Sequence, residues 1–286
     1  QTRSQRCSSL RWPHEKASKP GMETPAVTDT RLTRTRLAIA AALAAGAACL
    51  LNRRSQPSTL DDDGVLDAAG VRRLYDRIAS VYDIAASPYN LIGARRLAKQ
   101  AIDELRLTPG DTVVDLGTGT GWNLPQLATA VGPDGTVIGV DISPGMLEQA
   151  RKRIEGLGLD NVELVEADIS AYQLPPNTNA VVSTFVIEMR PDYSDIIQRL
   201  TSTLAANGRI ATTGLRHPDR WPEWLIKLGT GLVRIFGVSD AYRNHRPWEA
   251  IANHTTDSLY VDSHAGVVYL AAGTANPSSE TPGRGS

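Results

Sequence analysis

The stretch Val113-Val114-Asp115-Leu116-Gly117-Thr118-Gly119-Thr120-Gly121 joins an apolar run, which contains one acid, to three alternating glycines. The apolar run predicts a buried β-strand, and the glycines predict a strand-to-helix turn. Glycine is needed where the backbone takes a positive φ, or where it approaches a ligand more closely than a Cβ allows. At the carboxyl end of a parallel strand, such a turn also opens the next helix N-terminus toward a ligand. The stretch therefore predicts a turn that binds a cofactor.

Two further apolar segments each end in an acid. Residues 136–140 precede Asp141, and residues 162–167 precede Asp168. A carboxylate at the tip of the second strand is placed to accept hydrogen bonds from ribose hydroxyls. Three strands in series that end in carboxylates thus predict a ligand with a ribose at one edge of a parallel sheet.

The remaining patterns alternate between helix and strand. Apolar residues recur at helical spacing in 91–105, Ser143 and Pro144 form a good start for a helix, and Pro175-Pro176 separates the third strand from the fourth. Further helices are expected over 122–131 and 196–204, and further strands over 180–186 and 209–215. This alternation predicts a doubly wound, mostly parallel α/β sheet. The last two apolar segments, 258–261 and 267–272, are too close together for a crossover helix, so we expect an antiparallel hairpin.

These motifs resemble those of the class I S-adenosylmethionine (SAM) dependent methyltransferases. The resemblance is carried by DLGTGTG at 115–121, GVDISPGML at 139–147 and EADI at 166–169. YDRIASVYD at 75–83 also resembles a segment of the branch that contains quinone-biosynthesis and phospholipid methyltransferases. The resemblance covers approximately residues 75–273. It implies a seven-stranded Rossmann-like sheet whose last strand is antiparallel, SAM as cofactor, and a small or lipophilic methyl acceptor, with a quinone precursor or a phospholipid amine favoured.

The resemblance also implies roles for individual residues. The glycine turn would hold the methionine and ribose parts of SAM, with Asp115 near the ammonium group, Asp141 on the ribose hydroxyls and Asp168 on the adenine amino group. Apolar side chains would flank the adenine ring. The predicted cofactor residues are Asp115, Gly117, Thr118, Gly119, Gly121, Asp141, Ile142, Met146, Asp168, Ile169 and Thr184. An ordinary tight turn, a helix-capping acid at Asp115 and an exposed acid at Asp168 are the alternative interpretations.

The acceptor is expected beyond the fourth strand, because ligands of open α/β sheets bind outside the carboxyl ends of the strands. Thr184, Phe185 and Glu188 lie there, although all three are also ordinary packing residues. The sequence assigns no catalytic residue. His217 and His245 are candidate bases without a supporting motif, and no spacing of metal ligands is present. Two tyrosines, Tyr75 and Tyr82, either close over the cofactor or pack in the core, and the tryptophan-rich residues 221–235 either roof a lipophilic pocket, lie at a bilayer surface or pack on the sheet.

Two other functions fit parts of the pattern. A nicotinamide-dependent oxidoreductase would share the topology, but the dinucleotide fingerprint spaces its glycines as G-x-G-x-x-G, whereas Gly117, Gly119 and Gly121 are spaced as G-x-G-x-G. SAM carries a cationic tail and no phosphate, so an acid next to the turn suits SAM better than a pyrophosphate. The second alternative is a SAM-binding protein without turnover.

Composition limits the class of protein further. The 286 residues carry a formal net charge of -1, so nucleic acid is not the expected partner. The two cysteines, Cys7 and Cys49, lie outside the predicted domain and provide neither a disulfide framework nor a metal site. This usage is typical of a reducing, cytoplasmic environment.

The terminal segments have their own character. Residues 1–36 read as a disordered basic leader, and residues 37–54 contain 15 consecutive apolar residues, 37–51, with arginines on both sides. This run is shorter than the roughly 18–20 residues of a comfortable membrane span, so a short anchor, an interfacial helix and a cleaved leader all remain open. We expect a linker over 55–70, the methyltransferase domain over 71–273 and a disordered tail over 274–286, with the chain on the cytoplasmic side of a membrane if it is anchored.

Overall fold

A computed structural model describes residues 67–86, 93–216, 240–263 and 266–275 of the chain. Its helices are α1 (Ala68–Ile78), α2 (Tyr82–Ala85), α3 (Ala94–Glu104), α4 (Leu124–Val131), α5 (Pro144–Leu157), α6 (Tyr193–Thr203) and α7 (Pro247–His254). Its strands are β1 (Thr112–Leu116), β2 (Thr136–Asp141), β3 (Val162–Glu166), β4 (Ala180–Thr184), β5 (Arg209–Leu215), β6 (Thr255–Ser263) and β7 (Val268–Ala275). Short 3-10 turns cover Ala79–Val81, Ile187–Met189 and Asp240–Asn244.

The seven strands form one sheet in the order β3-β2-β1-β4-β5-β7-β6. Strands β1 to β5 pair in parallel, and β7 pairs antiparallel with both β5 and β6. The predicted doubly wound sheet with an antiparallel last strand is therefore confirmed. The strand order reverses between β1 and β4, which is where ligands bind in open α/β sheets.

The sheet is buried on both faces because successive side chains of a strand point to opposite sides. On β1, Val113 packs in one hydrophobic cluster with Leu97, Leu124 and Leu127, whereas Val114 packs in a second cluster with Ile196, Leu200 and Ile251. Helices α3 and α4 thus cover one face, and helices α6 and α7 cover the other. This packing holds the carboxyl ends of β1, β2 and β4 in fixed positions at one edge.

Helix α5 begins and ends as its sequence predicts. The Ser143 Oγ accepts the Met146 N–H at 3.1 Å, Pro144 is the first helical residue, and Gly158 closes the helix with φ of +63°. Because glycine adopts this left-handed conformation without a Cβ clash, the helix stops there. The cap orients the first turn of α5 toward the tip of β2.

Three predicted boundaries differ from the structure. Helix α1 begins at Ala68, inside the expected 55–70 linker, because the Asp67 side chain accepts the Gly70 N–H and caps the helix. Strand β4 ends at Thr184 rather than at 186, since Phe185 takes a left-handed backbone conformation with φ of +60°. Strand β7 extends to Ala275, beyond the expected end of the domain, through pairing of Thr274 and Ala275 with β6.

Several predictions fall outside the described residues. These are the basic leader 1–36, the apolar segment 37–54, most of the linker, His217, the tryptophan-rich residues 221–235 and the tail from 276. Within the described ranges, no helix combines the length and the apolar character needed to cross a membrane.

Candidate active site

Two adjoining cavities lie at the carboxyl ends of the central strands. The cavity next to β2, called the β2 cavity, is lined by Asp141, Ile142, Met146, Asp168 and Ile169, among others. The cavity next to β4, called the β4 cavity, is lined by Trp122, Asn123, Glu188, Leu215 and Arg95, among others. Both cavities share the walls formed by Tyr75, Tyr82, Gly117, Gly119, Thr184, Phe185 and Met189. The two cavities therefore lie side by side, with these residues between them.

The glycine turn needs glycine for a different reason at each position. All three glycines have a positive φ, of +73° at Gly117, +54° at Gly119 and +76° at Gly121. A Cβ on Gly117 would lie 2.4 Å from Val186, and a Cβ on Gly121 would meet Leu124 and Ala150, whereas a Cβ on Gly119 would project into open space. Gly119 is thus the position where a ligand can approach the backbone, while Gly121 packs against α4 and α5 and does not line the described cavities.

The amide groups of the turn are already hydrogen-bonded. Gly117 and Thr118 donate their N–H groups to the Val140 carbonyl oxygen at 2.8 and 2.9 Å, Gly119 donates to Asp141 Oδ2 at 2.8 Å, and Gly121 donates to the Thr118 carbonyl oxygen at 2.9 Å. A pyrophosphate site presents free backbone N–H groups to the ligand. The turn is therefore built for a ligand without phosphate, as its glycine spacing predicts.

Asp141 joins the tip of β2 to the glycine turn. Its two carboxylate oxygens accept the N–H groups of Gly119 at 2.8 Å and Ser143 at 2.9 Å. Burial raises the pKa of Asp141 to about 6, and these two hydrogen bonds oppose the shift. The carboxylate lines the β2 cavity, where its remaining acceptor capacity can bind a pair of hydroxyl groups.

Asp115 lies beneath the glycine turn rather than in a cavity wall. It is fully buried, and it accepts hydrogen bonds from Thr118 Oγ1 at 2.8 Å and from Asn123 Nδ2 at 3.2 Å. Asn123 Nδ2 also donates to Thr184 Oγ1 at 3.1 Å. Burial raises the pKa of Asp115 to about 6. The structure therefore places Asp115 as a support that connects the turn to the tip of β4, not at the surface of the described cavities.

The part of the β2 cavity around Asp168 combines apolar and charged side chains. Ile142, Met146 and Ile169 supply the apolar walls. Asp168 Oδ1 accepts the Ser170 N–H at 2.9 Å and lies 3.8 Å from the Arg190 guanidinium. Arg190 also lines this cavity, and sequence reasoning missed it because it follows β4 without a motif.

The leading segment, residues 67–86, closes the site from above. Tyr75 and Tyr82 line both cavities, with ring centroids 6.0 Å apart. Asp76 Oδ1 accepts from Ser143 Oγ at 2.6 Å and from the Gly145 N–H at 2.9 Å, so α1 is fixed to the start of α5. Asp83 accepts from Thr120 Oγ1 at 2.6 Å. The pattern YDRIASVYD pointed to the tyrosines, but these two anchoring carboxylates were missed.

The β4 cavity brings together all three residues that were expected near the acceptor. Thr184, Phe185 and Glu188 line it. Glu188 is buried, and its Oε1 accepts the Leu215 N–H at 3.1 Å. Burial raises the pKa of Glu188 to about 8. His245 Nδ1 lies 2.8 Å from the Glu188 carbonyl oxygen, so this candidate base contacts the backbone of Glu188 and is not among the residues that line the described cavities.

The mouth of the β4 cavity carries an aromatic ring, with two guanidinium groups close to it. The Trp122 side chain is 46% exposed, and the Arg95 and Arg153 guanidinium carbons lie 3.6 and 5.1 Å from its ring centroid. Arg95 has no carboxylate partner among the residues that the structure describes. The mouth therefore combines a flat apolar surface with positive charge.

The two cavities together fit SAM and an acceptor. The open position at Gly119, the strand-end carboxylates Asp141 and Asp168 and the apolar walls between them match an adenosine with a cationic tail. In the described part of the chain, no group of three or more His, Cys, Asp or Glu side chains is arranged to hold a metal ion. The two cavities thus offer positions for two ligands side by side.

Comparison with known proteins agrees with this geometry. Residues 107–232 match the family model described as a methyltransferase domain. An arsenite methyltransferase from Halobacterium salinarum is 31% identical over 161 residues, which are 55% of this chain and 39% of that protein. A demethylmenaquinone methyltransferase from Listeria welshimeri is 27% identical over 156 residues, which are 54% of this chain and 65% of that protein. The chain thus covers less than two thirds of the length of either relative.

A solved structure shares the fold. The complex of DhpI with SAH superimposes with a TM-score of 0.51 at 18% identity, over 73% of this chain and 97% of that chain. The motifs of the sequence, the sheet order and the family match all agree, and the relatives include a protein of the quinone branch that residues 75–83 resemble. Residues 107–232 thus match a methyltransferase domain, and the chain is similar to the class I SAM-dependent methyltransferases in its motifs and its strand order.

Proposed function

We propose that this protein transfers the methyl group of SAM to a small, lipophilic acceptor that lies in the β4 cavity. The observation that carries the proposal is that the two cavities adjoin at Gly117, Gly119 and Thr184. The β2 cavity has carboxylates in its wall, whereas the wall of the β4 cavity is mostly apolar. Methyl transfer requires the donor and the acceptor to meet in line, with water excluded.

The β2 cavity and the adjoining glycine turn supply the residues for the cofactor, with Thr118 of this turn lining the β4 cavity. Asp141 would bind the ribose hydroxyls, Asp168 the adenine amino group, and Gly117, Thr118 and Gly119 the methionine part. Ile142, Met146 and Ile169 would enclose the adenine ring. SAM supplies an activated methyl group on a sulfonium, so the protein needs only to align it. Asp115 and Gly121 would act indirectly, by supporting the turn from below.

Among the acceptor classes, we favour a planar phenol-like or quinone-type compound over a phospholipid amine. Arg95 at the mouth of the β4 cavity would repel a cationic amine, and the exposed ring of Trp122 offers a surface on which a flat ring can stack. Arsenite is disfavoured, because soft metalloids bind thiolates and the two cysteines lie at positions 7 and 49, outside the domain. The relative named demethylmenaquinone methyltransferase is consistent with this choice.

Calorimetric titration with SAM and with NADH tests the cofactor directly. We expect SAM to bind and NADH not to bind. Incubation with methyl-labelled SAM then tests the acceptor, with three separate additions: a lipid extract, soluble metabolites and simple hydroquinones. Label in a hydroquinone product supports the proposal. Label only in phospholipid would change the acceptor class, and SAM binding without any labelled product would favour a non-catalytic SAM-binding protein.

A membrane location is a further part of the proposal. The 15 apolar residues at 37–51, between arginines, would hold the domain at the cytoplasmic face of a membrane, where SAM and lipophilic acceptors are both present. Flotation of the full chain with vesicles, compared with a chain that lacks 37–51, tests this. Equal recovery of both chains in the soluble fraction would contradict it.

A further inference from the structure

We propose that Glu188 is the proton acceptor of the reaction and that it becomes ionised when the cationic cofactor binds. This inference rests on the proposed function and identifies the acceptor as a compound that loses an acidic proton on methylation, such as a phenol or an enol. Glu188 belongs to the 3-10 turn Ile187–Met189, which begins three residues after the last residue of β4, and it lines the β4 cavity, while its neighbour Met189 lines both cavities.

The position of Glu188 is unusual for a carboxyl group. The residue is 6% exposed and lines the β4 cavity, yet only Oε1 has a hydrogen-bond partner, the Leu215 N–H, and the buried Oε2 has none. A Cβ on Gly214 would lie 2.4 Å from the Glu188 carboxyl group, so the neighbouring strand leaves room for it only because residue 214 is glycine. A buried carboxyl with an unused oxygen costs stability, so its presence in a cavity wall points to a ligand.

The groups that face Glu188 do not neutralise a negative charge. Tyr82 of α2 and Tyr269 of β7 are close enough for a charged Glu188 to raise their pKa values, and His245 contacts only its backbone oxygen. Within residues 67–86, 93–216, 240–263 and 266–275, Glu188 forms no ion pair. The carboxyl group is thus held mainly neutral at pH 7 when the site has no cation in it, in agreement with its pKa of about 8.

SAM would bring a positive charge to the wall between the two cavities, beside the β4 cavity that Glu188 lines. An opposite charge within about 4–6 Å lowers the pKa of a carboxyl group by about 1–3. The sulfonium would therefore favour the carboxylate form of Glu188 at neutral pH. SAH, which has no sulfonium, would leave Glu188 protonated. The protein then has a base when the methyl donor is bound and a neutral acid when the reaction is finished.

The transfer step balances in atoms and in charge. The O–H or acidic C–H bond of the acceptor breaks, and its proton goes to Oε2 of Glu188. The electron pair that remains on the acceptor forms the new bond to the methyl carbon, while the pair of the S–CH3 bond stays on sulfur as a neutral thioether. One cation and one carboxylate are thus replaced by two neutral groups, so the net charge of the site is the same before and after the transfer.

Proton release on ligand binding tests the inference without turnover. The protein is titrated with SAM by calorimetry at pH 7.5, in phosphate and in Tris, whose different ionisation enthalpies report the protons released. At this pH Asp115 and Asp141 are already ionised, since their pKa is about 6. The amino group of the ligand also titrates in this range. The relevant quantity is therefore the difference between wild type and Glu188→Gln, with SAH as the neutral ligand for comparison.

We expect wild type to release between about 0.5 and 0.8 proton more than Glu188→Gln on binding SAM, and no more on binding SAH. Glu188→Asp should restore part of the release, and methylation by Glu188→Gln should fall by about 100-fold or more. Equal release by wild type and Glu188→Gln would overturn the inference while the proposed function stands. Absence of SAM binding by wild type would overturn both. If Glu188→Gln does not fold, the relevant quantity is the number of protons that wild type releases on binding SAM minus the number that it releases on binding SAH. This difference must vanish at pH 9.5, where Glu188 is already ionised, and its persistence there would overturn the inference.

Discussion

Asp83 and Arg153 lie 70 positions apart in the chain and form an ion pair with a distance of 2.6 Å between Oδ2 and Nη2. Both residues also hold Thr120 of the glycine turn, because its hydroxyl donates to Asp83 and its carbonyl oxygen accepts from Arg153 at 2.5 Å. The glycine turn is therefore positioned by α2 and α5 together. Since Tyr82 of α2 lines both cavities, this contact connects the leading segment on one side of the site to the glycine turn on the other.

Replacement of Asp83 by asparagine should weaken this connection. We expect the Kd for SAM to rise by about three- to tenfold, since a partly exposed charge-assisted contact contributes about 1 kcal/mol. Calorimetry measures the change. Arg151→Met is a matched control, because Arg151 lies on the same helix and, among the residues that the structure describes, pairs only with the exposed Glu148. Equal effects of the two substitutions would show that the connection does not matter for the cofactor.

Asp141 should be the most sensitive cofactor residue. In Asp141→Ala, the ribose hydroxyls lose their acceptor, and the N–H groups of Gly119 and Ser143 lose theirs. We expect SAM affinity to fall by at least about tenfold, because each lost buried hydrogen bond costs about 1 kcal/mol or more. Glu148→Gln, on the exposed face of α5, should leave the Kd unchanged. A Kd for Asp141→Ala within twofold of wild type would contradict the assigned role.

Substitution of two glycines with similar backbone conformations distinguishes the effect of backbone strain from the effect of ligand contact. Gly119 and Gly158 have φ of +54° and +63°, and an added Cβ meets no atom at either position. Gly119→Ala and Gly158→Ala should therefore both lower the free energy of unfolding by about 1 kcal/mol. Only Gly119→Ala should weaken SAM binding, because only Gly119 lines the cavities. Thermal unfolding and calorimetry on both variants check this, and parallel losses of affinity would count against the placement of the ligand.

Trp122 should affect the acceptor and not the cofactor. The ring lies at the mouth of the β4 cavity, outside the β2 cavity, so Trp122→Ala should raise the KM for a hydroquinone acceptor by about five- to tenfold through lost stacking. The Kd for SAM should change by less than about twofold. Steady-state kinetics measures the first value. Leu157→Ala removes a comparably exposed apolar side chain on α5 away from the cavities, and it should change neither quantity.

The protein should lose stability as the pH rises through the neutral range. The pKa of Glu188 is raised from 4.5 to about 8 in the folded state, so its stabilising effect is complete below 4.5 and is lost as the pH rises toward 8. The slope from this group is at most about 1.4 kcal/mol per pH unit. Urea unfolding of wild type between pH 5 and pH 9, in parallel with Glu188→Gln, measures the difference. A constant difference over this range would show that Glu188 is not protonated at neutral pH.

Sequence patterns were sufficient for the central strands because each of these strands is buried on both faces and ends in a turn with a clear chemical signature. The positions of β1, β2 and β3 along the chain, the hairpin of β6 and β7 and the cap at Ser143 all follow from local rules. The end of β4 did not, since Phe185 takes a left-handed conformation at a position where no glycine indicates a turn.

The site shows the same division. Nine of the predicted cofactor residues line the cavities, because strand tips and glycines mark them locally. Asp115 and Gly121 line neither cavity: the Asp115 carboxylate accepts hydrogen bonds from Thr118 and Asn123, and a Cβ on Gly121 would meet Ala150 of α5. Asp76 and Asp83 were not predicted as site residues because their hydrogen-bond partners lie far away in the chain. Arg190 was not predicted because it belongs to no recognisable motif.

The anchoring of α1 and α2 has a consequence for what counts as the functional unit. The match to the methyltransferase family begins at residue 107, yet Tyr75 and Tyr82 line both cavities, and Asp76 completes the first turn of α5. A chain shortened to the matched region would keep all five parallel strands and lose one side of the site. A comparison restricted to the matched region would therefore group proteins that share the sheet but differ in the leading segment that lines the cavities. Such a comparison would carry no information on the part of the acceptor site that this segment forms.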